Sequence, residues 1–387
     1  MSIVKQTVNS IFREYADEYL RKYKVSDYAK KIIRAIIDCR TEKLGGHIQK
    51  CDHCGDEITL YNSCRNKHCP QCQFMKKEEW KQARQDEVLP YQYFHVVFTL
   101  PDSLNPIVFR NKRTVYKLLF DKVKETLLTV AEDEEYFGAK IGFFSILHTW
   151  GQKLNLHPHI HCVVPGGGYS LKNEKWISCP NDFMLPVKVL SQRFRSLFLV
   201  GLKDLYKSKK LYLGESIYNE ETIFQNLINK LFATEWIVYI KESFKNSNGV
   251  IEYLSNYTHR IAISNHRIID VKDRVVSFYY RDYKNDNKKE IMKMDVLDFI
   301  NRFLLHIVPY RFTRIRYYGI LSLSTKKKTV DKCREYYKVK IIKLSKKSWD
   351  IIFLEKTGID IHVCQKCKKG KMEAISIIKT KRMCCAP

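Results

Sequence analysis

The segment HPHIHCVV (157–164) sets two imidazoles, His159 and His161, on either side of a bulky hydrophobe, Ile160. In a strand, alternate side chains leave the same face, so both histidines point one way and Ile160 points into a core. Two imidazoles on one face can hold a divalent cation. A third ligand from a neighbouring strand would leave positions open for a phosphate and water. An HxH pair is equally read as two exposed histidines on a strand edge. Its weight comes from the flanking apolar run, the PGGG stretch (165–168) after it, and a tyrosine pair downstream.

That pair is Tyr253 and Tyr257 in YLSNYTHRIAIS. Four residues is about one helical turn, so on a helix the two rings share a face. With Ile251, Leu254 and Ile261 nearby, that face could equally be a packing surface.

A second constellation is HIQKCDHCGDEITLYNSCRNKHCPQC. Cys51 and Cys54 form one CxxC and Cys69 and Cys72 another, fourteen residues apart. A two-residue gap lets both thiolates reach one ion, and two such knuckles complete a tetrahedral zinc site. Such an ion would hold a segment too short to bury its own core. His47, Cys64 and His68 lie within reach, either to replace one of the four or to help hold a second ion. Cys364 and Cys367, in CQKCKKG, have no obvious second knuckle, and the adjacent Cys384 and Cys385 are badly placed to share an ion. The 13 cysteines come without an export signal and cluster in CxxC pairs, which favours metal over disulfides.

These groups sit in a basic chain. There are 68 Lys and Arg against 42 Asp and Glu, a formal charge of +26, with a pI near 9.4. A Lys-, Ile-, Tyr- and Asn-rich composition accounts for part of this, but the excess makes nucleic acid the leading partner, through counterion release. The basic residues are spread along the chain, which implies a broad surface rather than a tail. With 387 residues the length suits two or three units, and no run of 18 apolar residues spans a membrane. The N-terminus lacks a signal-peptide core, so the expected location is the cytoplasm.

Periodicity supplies the elements that must position these groups. Residues 5–40 read as helical, and a basic helix follows the cysteines up to Pro90. YFHVVFTLP (93–101), IGFFSILHTW (141–150) and HIHCVV (159–164) read as strands, and PGGG as a turn or loop. Helices are expected near 106–131, 187–209, 220–232, 249–258 and 295–306, with strands at 236–240 and in short runs over 260–281. Strands and helices mix without regular alternation, so the fold class is α+β. The expected domains are 1–88 (helical and zinc-binding), 89–325, and a basic tail, 326–387.

SCRNKHCPQC, ILHTWGQKLNLHPHIHCVVPGGG, YLSNYTHRIAISNHRI and FINRFLLHIVPYRFTRIRYYG (299–319), in this order over roughly residues 10–325, resemble the HUH rolling-circle transposases of the two-tyrosine, helitron-related family of bacterial insertion sequences. The resemblance implies an HUH endonuclease fold: an antiparallel sheet flanked by helices, with the metal-binding histidines on a central strand. FHVVFTLP looks like the family's first motif, at an edge of the sheet near bound DNA. For the third ligand, His148 is the first choice and Gln152 the second; His157 shares the strand face of His159, and His95 has a weaker claim.

The chemistry implied is DNA strand transfer. A tyrosine hydroxyl, with a pKa of about 10, is a weak nucleophile that needs help. Mg2+ or Mn2+ on the histidines would stabilise charge at the scissile phosphate, with imidazole suiting Mn2+ or Zn2+ better than Mg2+. A 5′-phosphotyrosine link conserves bond energy, so strands can be rejoined without ATP. His259, Arg260 and Arg267 are candidate DNA contacts. Two rival readings are a replication initiator or relaxase of the same chemistry, and a zinc-dependent DNA-binding protein without catalysis.

Overall fold

The computed structural model describes residues 6–85, 88–89, 91–179, 185–215, 217–244, 252, 255, 262–282, 285–339 and 347–380. In chain order the strands are β1 (Gly46–Cys51), β2 (Glu57–Tyr61), β3 (Tyr93–Thr99), β4 (Gly142–Trp150), β5 (Leu156–Pro165), β6 (Gly167–Ser170) and β7 (Lys175–Ser178). Then follow β8 (Val238–Phe244), β9 (Ile268–Lys272), β10 (Val275–Asp282), β11 (Lys288–Asp295), β12 (Ile315–Gly319) and β13 (Met372–Ile378). Helices and antiparallel sheets are mixed, as expected for an α+β chain.

The chain divides into two compact units, each discontinuous in sequence. One comprises Met1–Gln82, His259–Ile307 and Leu344–Pro387, and the other Ala83–Thr258 and Val308–Lys343. This differs from the contiguous segments 1–88, 89–325 and 326–387, because non-local pairing outweighs chain order. β13 pairs with β1 along its length, and the helix Val296–Leu305 packs on the helix Val8–Lys22.

In the first unit the helical stretch expected over 5–40 is two helices, Val8–Lys22 and Asp27–Asp38. The break falls where Ser26, in extended backbone, accepts a hydrogen bond from the Ala29 amide and so caps the second helix. Thr7 and Ser10 form a reciprocal capping box on the first. The buried rings of Phe12 and Phe303 meet edge to face at 5.3 Å, and the Tyr19 hydroxyl donates to Asn301 at 3.0 Å. Two three-stranded sheets complete this unit, ordered β13-β1-β2 and β11-β10-β9.

The second unit is built on a five-stranded antiparallel sheet in the order β12-β4-β5-β3-β8, with β5 in the middle. β3 is therefore an interior strand, not the sheet edge that the resemblance implied for FHVVFTLP. One face of the sheet is apolar: Ile160, Cys162 and Val164 of β5 and Val96 and Phe98 of β3 share a core with Phe120, Leu127, Phe194, Phe198 and Trp236. Phe98 and Trp236 both lie edge to face on Phe194, at 5.1 and 5.3 Å. Those aromatics come from the helices Lys112–Glu132 and Val187–Lys207 and the approach to β8. Ile160 is fully buried, and its neighbours His159 and His161 take the opposite face by strand alternation.

PGGG does not turn the chain as the sequence suggests. It carries β5 on into β6, which pairs with β7. The glycines are there for close approach: a Cβ on Gly168 would lie 2.6 Å from the Lys140 carbonyl oxygen, and Lys140 and Tyr169 exchange both backbone hydrogen bonds.

Candidate active site and metal centres

β4 and β5 pair so that His148 stands opposite His159, while His161 lies two residues along the same face. One ring nitrogen from each of His148, His159 and His161 lies within 4.8 Å of the others. His148 and His161 are buried and His159 is partly exposed, so the group is sunk into the sheet with one side open. Ring centroids are 4.4 Å apart for His148 and His161 and 4.8 Å for His159 and His161.

The three rings are held by neighbours. His159 Nδ1 lies 2.7 Å from the His157 carbonyl oxygen. A carbonyl only accepts, so Nδ1 carries the proton and the Nε2 lone pair is left for a ligand bond. His161 Nδ1 pairs with His95 Nε2 at 2.7 Å. His148 stacks on Trp150 at 4.3 Å. Burial pushes His159 down to about 3 and His95 to about 4, and it lowers His161 well below the usual imidazole range. His159 and His161 are therefore neutral near pH 7, the form that binds metal, and so is His95 beside them. The donor set fits a divalent cation.

The other candidates for this site are placed as follows. His157, on the same strand, faces Asp102, with Nδ1 3.4 Å from its carboxylate, and is not in the group. Gln152 lies in the turn between β4 and β5. His95 stands behind His161. Sequence gave it only a weak claim as a ligand; its place in FHVVFTLP, beside a central strand, is the signal for a supporting role. Tyr253, Tyr257, His259 and Arg260 lie outside the described residues. Arg267 is buried, donates from Nε to the Tyr279 carbonyl at 2.6 Å and lies over the Phe278 ring. It braces β10 from within and does not offer the surface cation expected for DNA contact.

The cysteines are regrouped. Cys51, Cys54, Cys69 and Cys72 do not meet at one point. Cys69 and Cys72 converge with Cys39 and Cys64, whereas Cys51 and Cys54 converge with Cys364 and Cys367. The cause is the β1–β2 hairpin, which carries the first pair at its tip, away from the second and to where β13 arrives. Cys72 Sγ lies 3.5 Å from both Cys39 Sγ and Cys64 Sγ, and Cys51–Cys367 and Cys54–Cys364 are each 3.7 Å apart. These are too long for disulfides and close to the edge of about 3.8 Å of a tetrahedron with Zn–S bonds of about 2.3 Å. Cys39, buried at the end of the helix Asp27–Asp38, has no CxxC partner, so sequence spacing could not single it out. Asn9 Nδ2 donates to the Ile36 carbonyl at 2.8 Å and to Cys69 Sγ at 3.5 Å, tying this cluster to the first helix. Neither cluster includes His47, which lies in β1, or His68, which is buried beside Tyr28.

Three imidazoles on one face of an antiparallel sheet, with two tetrads of cysteines, define a protein with a candidate metal site and a zinc-type module. Comparison with known proteins gives its kind. A family model described as "Transposase zinc-binding domain" matches residues 11–100, and one described as "Putative transposase" matches residues 142–329. The chain is 41% identical over 377 residues to the "Putative transposase y4qJ" of Sinorhizobium fredii, covering 96% of this chain and 95% of that one. It is 26% identical over 302 residues to the transposase for insertion sequence element IS801 of Pseudomonas savastanoi, covering 76% and 71%. No solved structure matches the chain. The chain belongs to this family of insertion-sequence transposases with a zinc-binding domain. The matched domain and the thiol clusters mark zinc as the module's metal. Among the described residues no helix is long and apolar enough to cross a membrane.

Proposed function

We propose that this transposase nicks and rejoins single-stranded DNA through tyrosine nucleophiles, Tyr253 and Tyr257, in a rolling-circle type of transposition. The observation that carries the reading is the convergence of His148, His159 and His161 on one sheet face, in a chain of transposase family. Mg2+ or Mn2+ held there would supply Lewis-acid stabilisation of charge at the scissile phosphate. The protein's own part is to present oriented imidazoles, with burial keeping His159 and His161 neutral. The His157 carbonyl fixes the ring of His159, and His95 fixes that of His161.

In the proposed step a tyrosine oxygen bonds to phosphorus and the bond from phosphorus to the 3′ oxygen breaks. The 3′-hydroxyl leaves with a proton, and the 5′ end stays on the tyrosine. Attack by a 3′-hydroxyl on that link reverses the step. A second tyrosine one turn away would cut another strand while the first still holds its end. The net charge of +26 favours the polyanion throughout. Such a reaction belongs where chromosomal DNA is, in the cytoplasm of a bacterial or archaeal cell.

The test is adduct formation. Single-stranded oligonucleotides carrying the element's ends are incubated with the protein and Mn2+ and resolved under denaturing conditions. A covalent protein–DNA band is expected, lost in the variant with both Tyr253→Phe and Tyr257→Phe. A band that survives the double change rules out these nucleophiles, and the two single variants give the order of action.

A further inference from the structure

The sequence left the C-terminal CxxC without a partner, and the fold supplies one. β13 runs antiparallel to β1 with Cys51 opposite Met372, so the chain before β13 reaches the first knuckle. The two knuckles are built alike. The Gly55 amide donates to the Cys51 carbonyl at 3.1 Å, and the Lys368 amide to the Cys364 carbonyl at 2.9 Å. The Cys51 amide donates to the Asp56 carbonyl at 2.9 Å, and the Cys364 amide to the Gly370 carbonyl at 2.8 Å. The residue after the second cysteine is left-handed in both, Gly55 at φ +72° and Lys368 at φ +60°. For a lysine that conformation is strained, so something must hold it.

The knuckles also lock to each other. The Asp52 amide donates to the Lys371 carbonyl at 3.1 Å, and the Lys371 amide to the Asp52 carboxylate at 2.8 Å. Lys366 pairs with Asp56 at 2.8 Å. A Cβ on Gly370 would lie 2.3 Å from Cys51 Sγ, so only glycine lets the second knuckle close on the first. The four Sγ atoms lie within 4.8 Å of one another, although more than 300 residues separate Cys51 from Cys367. Cys54 is exposed and Cys367 partly so, which makes a buried apolar contact an inadequate reason for the convergence.

We propose that Cys51, Cys54, Cys364 and Cys367 bind a zinc ion of their own, additional to one at Cys39, Cys64, Cys69 and Cys72, and that this ion clamps the C-terminal segment onto the N-terminal module. The proposal rests on the zinc reading of the module and adds the second ion and the C-terminal ligands. Binding converts thiols to thiolates and releases their protons to solvent. Clamping makes the three-stranded sheet one metal-closed ribbon, so the far end of the chain is part of the N-terminal module.

The full chain is loaded with zinc, dialysed, and titrated with a thiol-directed mercurial while released zinc is counted colorimetrically. The mercurial leaves any histidine-held ion in place. Two equivalents are expected from the wild type, and one each from Cys364→Ser/Cys367→Ser and from Cys39→Ser/Cys64→Ser. One equivalent from the wild type, unchanged in the C-terminal variant, overturns the proposal and leaves a single-site module standing. No release from the wild type overturns the zinc reading itself. A second measurement needs no variant: zinc is chelated, the wild type is mildly oxidised, and disulfides are mapped by peptide mass spectrometry. Cys51–Cys367 and Cys54–Cys364 bonds are expected, and bonds joining Cys51 or Cys54 only to Cys69 or Cys72 sink the assignment.

Discussion

His95 Nε2 lies 2.7 Å from His161 Nδ1, and the two imidazoles stack with centroids 4.9 Å apart and planes 10° from parallel. Both are buried, on neighbouring strands of the same sheet. If His161 ligates through Nε2, its Nδ1–H donates to His95, which must then accept as a neutral ring. Burial, which holds His95 down at about 4, keeps it in that form. Such an outer partner orients a ligand and raises its basicity.

Removing that partner should therefore weaken metal binding without removing a ligand. His95→Ala is expected to raise the Mn2+ dissociation constant by about 10- to 100-fold, read by titration calorimetry. His95→Gln, whose amide oxygen can accept from His161, should recover part of the loss. Unchanged Mn2+ affinity in a folded His95→Ala protein would show the contact to be packing alone.

The histidine face also predicts a pH effect in the metal-free protein. His95 titrates at about 4 when folded and about 6.5 when unfolded, so below pH 6.5 the unfolded chain takes up the proton first. The stability is present above pH 6.5 and is lost as pH falls toward 4. Between pH 7.5 and 5 the loss from this group is about 2 kcal/mol. Urea unfolding in chelator should show His95→Gln losing less stability over that interval than the wild type. Equal losses would count against a buried neutral His95.

Removing ligands should act on the chemical step. His159→Ala and His161→Ala are each expected to lower the rate of covalent adduct formation by at least about 1000-fold, the scale of several kcal/mol of lost Lewis-acid stabilisation. DNA binding by filter retention should change little, because net charge dominates it. Near-wild-type adduct rates in both variants would place the metal elsewhere.

Gly168→Ala tests the reading of PGGG as extended chain. Its Cβ would meet the Lys140 carbonyl, a backbone atom in a two-way hydrogen-bonded pair that cannot swing aside. The expected cost is about 1–3 kcal/mol, measured as a shift of the urea midpoint. No shift would mean that the segment relaxes freely there.

The sequence by itself determined what strictly local rules control. Alternation sent Ile160 to the core and His159 and His161 to the other face, because a strand's side-chain period is two. Charge pointed to a polyanion, and the CxxC pairs to zinc. The helices near 106–131, 187–209, 220–232 and 295–306 followed from apolar spacing, apart from the breaks that Ser26 caps within residues 5–40 and that fall at Asn111. Lys326–Tyr336 and Trp349–Thr357 were read only as a basic tail, and the helix expected at 249–258 lies largely outside the described residues. Strands with few apolar residues, such as β11 (KKEIMKMD), and the cysteine-rich hairpin β1–β2 were not legible, since pairing and not propensity holds them. Only the tertiary structure decided which cysteines meet. Spacing joined Cys51 and Cys54 to Cys69 and Cys72, but a hairpin that holds the first pair at its tip and a strand from late in the chain divided them into two tetrads. Cys39 came to light the same way, and so did the place of His95 behind His161 rather than among the ligands. A metal cluster is a meeting of atoms in space, and loop closure costs so little more for each doubling of length that a partner 300 residues away competes with one at fourteen.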